Sequence, residues 1–384
     1  MLGQVRCAEM ATGLSSPTAP SPIRPPSIWP PSIGSSATRQ GTRRARSSWI
    51  RGPWADLAVA WCWIPFAAFA HVLQGRDGNG VAVLFGAVLL FSFTHQPLTL
   101  ALVYGNRERF RIHRSVFSWS PLVFLMAALV GTRVSFALVA VVAGLWNAEH
   151  TLMQRFGVTR IYGRKGGDDH GTLERWMLLS WLALALVWGS ADSRTPRLLE
   201  RAGLGGVNGA GVDLLVRFST PARLVLGPLT LAVSVLAVRW VGAQRRSWLA
   251  GTANPAKWAY VGATAVLFAV MLVDPIAGLI GYVGAHAAEY FVVVHGALPR
   301  EDPAAGPLGR LVNGEGGGVR WGRCLFFAAY ALGTAGLVLG LRQWATPLEG
   351  TTVLLTLGGL HVFYDGFIWK LRRPAVAAQV GAHR

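Results

Sequence analysis

Long apolar runs fill the chain from Trp54 onward, and short polar or basic stretches separate them. Many of the runs approach the roughly 20 residues that an α-helix needs to cross a bilayer. When some shorter runs are included, about ten spans are predicted, at 54–73, 80–104, 116–131, 134–155, 174–191, 222–243, 257–273, 276–297, 322–341 and 351–370. The pattern therefore predicts an all-α fold, a polytopic transmembrane helix bundle.

Two pairs of neighbouring spans have very short connections. Only residues 131–133 separate the third span from the fourth, and only Asp274 and Pro275 separate the seventh from the eighth. Either pair could instead be one kinked helix with a re-entrant piece. That alternative would change the number of spans by about one or two.

The first 53 residues differ from the rest of the chain. They are rich in Pro, Ser, Thr and Arg, and they lack the apolar content that a folded segment must bury. They also lack the apolar run of a signal peptide. The predicted organisation is a disordered N-terminal segment at 1–53, a transmembrane helical domain at 54–373 and a C-terminal tail at 374–384.

Basic residues follow the loops rather than a single face of the protein. The net charge of +18 comes mostly from the N-terminal segment and from loops such as 105–115, 155–172 and 244–254. These loops share one side if the spans alternate, which is the positive-inside pattern and not a nucleic-acid-binding face. The loop at 192–221 is also basic but falls on the other side. We predict a bacterial inner-membrane protein with both termini cytoplasmic and no nucleic-acid partner.

Polar side chains interrupt four of the apolar spans. An ionisable group at membrane depth costs at least about 2.5 to 3.5 kcal/mol, so it is retained where a partner, a metal or water compensates. The interruptions lie at 94–96, 147–154, 286–295 and 361–365. They fall in the second, fourth, eighth and tenth spans, all of which run in the same direction if the spans alternate. We therefore expect the four stretches to meet at one depth.

Helical spacing gives three of these spans a polar face, because residues three or four positions apart lie on the same side of a helix. The sets are His286 with Glu289 and Tyr290, His150 with Gln154, and His361 with Asp365. His295 lies nine positions after His286 and falls on the opposite side of that helix. It is predicted to be an interfacial histidine outside the site.

Histidines combined with carboxylates suit iron, manganese or zinc. The predicted metal ligands are His95, Glu149, His150, His286, Glu289, His361 and Asp365. Tyr290, Tyr364 and Gln154 are predicted as catalytic residues around these ligands. The predicted cofactor is iron, as one or two ions, with zinc, manganese and haem as alternatives.

The functional prediction is a membrane-bound, metal-dependent oxidoreductase. It would hydroxylate, desaturate or oxidatively cleave a lipid or isoprenoid that enters from the bilayer, with an electron-donor protein as a partner. Three alternatives stay open at this point. The same groups could serve a proton-coupled or metal-ion transporter, two histidines could bind haem, or the set could only fix helix packing through hydrogen bonds.

The end of the chain carries a resemblance. The stretch from His361 to Lys370, His-Val-Phe-Tyr-Asp-Gly-Phe-Ile-Trp-Lys, resembles the tail of histidine-bearing bacterial polytopic membrane proteins. As a class, the histidine set is similar to integral-membrane diiron desaturases and hydroxylases, which implies metal-dependent oxidation. The dense His-x-x-His-His boxes of those enzymes are not found in this sequence.

Overall fold

Helices account for nearly all of the chain that the computed structural model describes, which is residues 48–75, 78–168, 170–201, 216–313 and 318–370 with single residues 213 and 376. No strand occurs in these ranges.

The helices are α1 Pro53–Ala60, α2 Trp63–Gln74, α3 Gly78–Tyr104, α4 Arg107–Ile112, α5 Arg114–Gly166, α6 Gly171–Ala191, α7 Thr195–Arg201, α8 Ser219–Leu249, α9 Pro255–Val273, α10 Pro275–Ala297, α11 Pro307–Asn313, α12 Gly318–Trp344 and α13 Pro347–Ile368. The all-α prediction is confirmed. The predicted segment 1–53 lies mostly, and the tail 374–384 almost entirely, outside the described residues.

Eight helical stretches in the described part of the chain are long and apolar enough to cross a membrane. Their outward faces carry exposed large apolar side chains, such as Leu224, Val238 and Leu332. Apolar surface on this scale needs a lipid or protein partner. These helices therefore indicate a membrane protein, while the finer count of about ten spans stays a prediction.

Helix α5 folds back on itself at Ser135, whose φ of −159° and ψ of 96° are not helical. The rings of Phe124 and Trp146 stack with centroids 6.0 Å apart. A straight helix would separate residues 22 positions apart by about 33 Å. A Cβ on Gly131 would come within 2.6 Å of the Val139 side chain, so the lack of one permits the tight return. The two arms, residues 114–134 and 136–166, correspond to the predicted third and fourth spans.

Four helices that carry polar residues run in the same direction: α3, the second arm of α5, α10 and α13. In each pair of helices, the second contact involves higher residue numbers on both helices than the first, which shows that the two helices are parallel. The contacts are His95–His361 and Thr99–Asp365, Ala148–Tyr282 and Gln154–Glu289, and His95–His286 and Thr99–Tyr290. This shared direction is the one expected from alternating spans. It brings the C-terminal ends of the four helices to one end of the bundle.

The connecting segments at that end contact one another. Asn254 Nδ2 donates to the carbonyl oxygens of Tyr162 and Ser48 at 2.8 and 3.0 Å. Arg109 Nη2 pairs with Glu301 Oε1 at 2.8 Å. The basic loops thus lie together, as the charge pattern predicts. That this end faces the cytoplasm stays a prediction.

A buried group of charges fixes the connection between α5 and α6. Lys257 is fully buried and pairs with both Asp168 and Glu174. Arg160 Nη1 lies 2.9 Å from Glu174 Oε2 and 3.3 Å from Asp168 Oδ1. Two cations and two carboxylates therefore balance where α9 meets the α5–α6 turn. Removing one partner would leave an opposite charge uncompensated.

This charge group predicts acid sensitivity. Burial alone would raise the pKa of Asp168, but the hydrogen bond and charge of Lys257 hold that pKa below its usual value. A carboxyl whose folded pKa is depressed contributes stability above its unfolded pKa of about 3.9, and that stability is lost as pH falls through the folded pKa. The melting temperature of the wild type should therefore decrease as the pH is lowered below about 4. Asp168→Asn should be less stable at neutral pH and show a flatter acid profile; parallel melting profiles would contradict this.

Candidate metal centre

The four histidines from the polar spans meet in the interior of the bundle. His361 on α13 places its Nε2 atom 3.1 Å from Nε2 of His95 on α3 and 3.0 Å from Nε2 of His150 on the second arm of α5. His286 on α10 completes the group, with its ring edge-on to those of His95 and His150 at centroid distances of 4.6 and 5.2 Å. All four side chains are buried.

Two pairs of Nε2 atoms, His361 with His95 and His361 with His150, each have the spacing of neighbouring ligands on one cation. Metal–nitrogen bonds of about 2.0 to 2.1 Å place neighbouring donors in tetrahedral or octahedral arrangements roughly 2.9 to 3.4 Å apart. Both observed separations fall in this interval. Imidazole nitrogens are also common protein ligands for iron and zinc. The geometry thus fits a metal.

A threonine holds the Nδ1 atom of His361, which leaves its Nε2 atom to the other histidines. Nδ1 of His361 lies 2.7 Å from Thr99 Oγ1, and an N–H there would donate to the hydroxyl oxygen. In that neutral tautomer Nε2 of His361 carries a lone pair, so it can accept but not donate. A cation beside His361 Nε2 would use this lone pair together with that of His95, in one group, or of His150, in the other.

His286 gives a second sign of a ligand. Its side chain is 1% exposed, and neither ring nitrogen has a hydrogen-bond partner within the described residues. Buried polar groups are almost always paired, because leaving one unpaired costs about 1 to 3 kcal/mol. A metal beside His95 and His286 would satisfy one of these nitrogens.

Asp365 offers the carboxylate of the site. Its Oδ1 atom accepts hydrogen bonds from Thr99 Oγ1 at 3.1 Å, Tyr290 Oη at 3.0 Å and Trp369 Nε1 at 3.2 Å. Its Oδ2 atom lies 3.7 Å from His150 Nε2 and 3.9 Å from His361 Nε2. One oxygen is thus held in place while the other faces the histidines, which suits a monodentate ligand. His150, His361 and Asp365 form one group with metal-binding spacing, and His95, His286 and His361 form another.

Thr99→Val should weaken metal binding. The valine keeps the volume but removes the oxygen that accepts from His361 Nδ1 and donates to Asp365. Loss of a partner that orients a ligand typically costs about 10- to 100-fold in metal affinity. Titration of the metal-free variant with Fe(II) measures the effect. Thr334→Val is the control, because it removes a hydroxyl that donates to the Tyr330 carbonyl oxygen of its own helix. Equal affinities in the two variants would contradict the role of Thr99.

Glu289, a predicted ligand, lies in a different network. Its Oε1 atom is 2.6 Å from Arg155 Nη2, and its Oε2 atom accepts from Tyr260 Oη at 3.0 Å. Neither group with metal-binding spacing contains it. Gln154 links this network to the site, since its Nε2 atom lies 3.2 Å from the His286 carbonyl oxygen and 3.3 Å from Glu289. We therefore leave Glu289 out of the proposed ligand set.

Two other predicted residues lie beside the histidine group rather than in it. Glu149 is half-buried and lines a cleft next to His150. Tyr364 Oη lies 2.8 Å from Tyr104 Oη and 2.9 Å from Ser120 Oγ, in a network of its own. Of the residues predicted as catalytic, Tyr290 contacts the site through the side chains of Thr99 and Asp365, and Gln154 contacts it through the backbone of His286.

Sequence reasoning missed Thr99, Trp369 and Arg155. Thr99 lies four positions after His95, and Trp369 four after Asp365, so helical spacing was a usable signal for both. The charge pattern places Arg155 at the start of the basic loop 155–172, yet the structure buries its side chain completely. Its partner Glu289 is on another helix, and sequence spacing carries no information about such a pair.

A cleft of about 350 Å³ reaches the site between α10, α13 and the second arm of α5. Most of its wall is apolar, from Trp146, Met153, Val158, Ile161, Val293 and Val362. His150 and Asp365 line it from within the site, and the exposed Gly366 and Lys370 also border it. An apolar molecule in the cleft would therefore lie against the candidate ligands.

Comparison with family profiles, with curated proteins and with solved structures finds no match to this chain.

Proposed function

We propose that this protein is an integral membrane metalloenzyme that uses iron to oxidise a lipid or isoprenoid. The proposed ligands form two overlapping groups that share His361: His95 and His286 belong to one, and His150 and Asp365 to the other. The observation that carries the proposal is the meeting of histidine nitrogens and one carboxylate oxygen beside an apolar cleft. The cleft supplies room for a hydrocarbon chain, and the ligand set supplies a place for the metal.

The donor types favour iron. Several imidazoles with one carboxylate and no thiolate resemble the sites of non-haem iron oxygenases, which leave positions open for dioxygen. Neither free cysteine in the described residues, Cys62 or Cys324, belongs to the groups with metal-binding spacing. Iron, when bound, supplies the redox chemistry for oxidising an apolar carbon, with electrons from a donor protein.

The residues around the ligands would bind and orient the substrate. Apolar walls exclude water from a hydrocarbon chain and favour its entry from the bilayer. Tyr290 and Thr99 fix the Asp365 carboxylate through its Oδ1 atom. The protein's contribution is thus a rigid ligand set next to a site for a chain-like molecule.

Blocking the cleft tests this proposal. A Cβ on Gly157, which lines the cleft, meets nothing within 4 Å, so Gly157→Phe should fill the cleft without disturbing the helices. The iron-loaded protein, in vesicles of a bacterial lipid extract with ascorbate as reductant, should consume oxygen and form oxidised lipid. Gly157→Phe should lower this rate at least about tenfold, a loss of about 1.4 kcal/mol in transition-state stabilisation, with iron content unchanged.

Gly227→Phe is the matched control, because Gly227 also has open space around it but lies on α8, outside the cleft. It should keep the wild-type rate. If the iron-loaded wild type forms no oxidised lipid, the proposed reaction is wrong. If Gly157→Phe and Gly227→Phe react equally fast, the substrate does not use the cleft.

A further inference from the structure

A second cavity lies beside the cleft, toward the end of the bundle where the basic loops gather. Its volume is about 290 Å³. Val158, Ile161 and Val293 line both spaces. The second cavity therefore continues the groove between α10 and the second arm of α5.

Three arginines from separate parts of the chain surround this cavity: Arg51 before α1, Arg300 after α10, and Arg323 on α12. The guanidinium of Arg51 lies over Gly296, where a Cβ would clash with Nη2, and it donates to the Val292 carbonyl oxygen at 2.5 Å. The lack of a side chain at position 296 thus makes room for Arg51. This contact fixes one guanidinium against the cavity wall.

The second cavity is strongly cationic. Asp56 is the one acidic residue among its described lining residues, and its carboxylate already accepts the backbone N–H groups of Ile50 and Arg51 at 2.6 and 3.1 Å. Burial lowers the pKa of Arg51, Asp56 raises it, and the positive charges of Arg300 and Arg323 lower it further. An anion placed between the arginines would relieve this repulsion.

Helix α10 passes both spaces and sets the distance between them. Gly296 and His295 line the second cavity, while Tyr290 and His286 lie at the candidate metal centre. Tyr290 and His286 lie six and ten residues before Gly296, which corresponds to about 9 and 15 Å along the helix axis. A molecule with an anionic group in the second cavity would place atoms at that distance beside the ligands.

We infer that the substrate is a phosphate-bearing lipid, whose headgroup binds Arg51, Arg300 and Arg323 while its chain occupies the cleft. This inference rests on the proposed function. Guanidinium groups bind phosphate oxygens in bidentate fashion, and three of them suit a phosphate better than a single carboxylate. Basic pockets at the cytoplasmic end of membrane helices commonly bind such headgroups. Oxidation is then directed to a carbon about 9 to 15 Å from the phosphate, away from the headgroup.

Ligand-dependent melting of the full-length, iron-loaded protein in detergent tests the inference. Phosphatidate should raise the melting temperature, while a diacylglycerol with the same chains and inorganic phosphate should not do so at equal concentration. Arg51→Gln and Arg323→Gln should each weaken phosphatidate binding at least about tenfold, since each removes charge-assisted hydrogen bonds. Arg51→Lys should retain part of the affinity. Arg245→Gln, which removes an exposed arginine outside the cavity, is the control.

Equal stabilisation by phosphatidate and diacylglycerol would overturn the inference, and so would unchanged phosphatidate binding in both glutamine variants. Equal binding of inorganic phosphate would show a site for free anions rather than for a lipid. Iron content is measured on the same samples. If the iron content is normal but phosphatidate stabilises the protein no more than diacylglycerol does, this inference alone is wrong. If the wild-type protein binds no iron, the proposed function is wrong.

Discussion

His361→Ala is expected to remove nearly all bound iron, with an affinity loss greater than about 100-fold. Nε2 of His361 is the nitrogen that approaches both His95 and His150, so this variant removes the centre of the donor set. Loss of a group that merely orients a ligand costs about 10- to 100-fold, and loss of the ligand itself should cost more. Metal analysis after equilibration with Fe(II) measures the effect.

His295→Ala is the matched control for metal content. His295 lies on the same helix as His286 but outside both groups with metal-binding spacing, and Arg323 Nη1 is 3.4 Å from its Nε2 atom. We expect the variant to keep its iron. Equal iron in His361→Ala and wild type would show that the histidine group is a packing network, one of the alternatives that the sequence leaves open.

Arg155→Met is expected to destabilise the protein by about 3 to 5 kcal/mol, because it leaves the Glu289 carboxylate buried without its cation. Arg155 and Glu289 are both almost fully buried, with Nη2 and Oε1 2.6 Å apart. Tyr260 and Gln154 remain as hydrogen-bond donors, but neither carries a charge. The free energy of unfolding in mixed micelles measures the loss.

The double variant Arg155→Met/Glu289→Leu should recover much of this stability, since replacing both members of a buried pair by apolar residues is often neutral. Glu289→Gln should keep wild-type iron content if Glu289 serves the structure rather than the metal. Equal stability of Arg155→Met and wild type would contradict the ion pair. Loss of iron in Glu289→Gln would instead indicate that Glu289 is a metal ligand.

The long apolar helices can be predicted from the sequence, because the length of an apolar run and the spacing of its polar residues are local signals. The return of α5 at Ser135 follows from a polar break of three residues between two apolar runs, together with a small residue at position 131. The shared direction of α3 and α13 follows from counting spans. Both inferences need only the order of segments along the chain.

The site was less predictable, because its partners come from different helices. Helical spacing predicts that Glu289 lies on the same face as His286. Several helices contact α10, however, and the Glu289 carboxylate pairs with Arg155 instead of facing the histidines. Sequence spacing cannot show which neighbour a residue meets. The cost of an unpaired charge in the interior explains the pairing once Arg155 is known to be buried.

X-ray absorption at the iron edge of the purified wild-type protein tests the central claim most directly. The account predicts one or two iron ions per chain, with nitrogen and oxygen donors at roughly 2.0 to 2.2 Å and imidazole scattering. Loss of the bound-iron spectrum in His361→Ala, with an unchanged spectrum in His295→Ala, would support the assignment. A wild-type spectrum of a haem, of sulfur ligands or of hydrated iron without imidazole would contradict it.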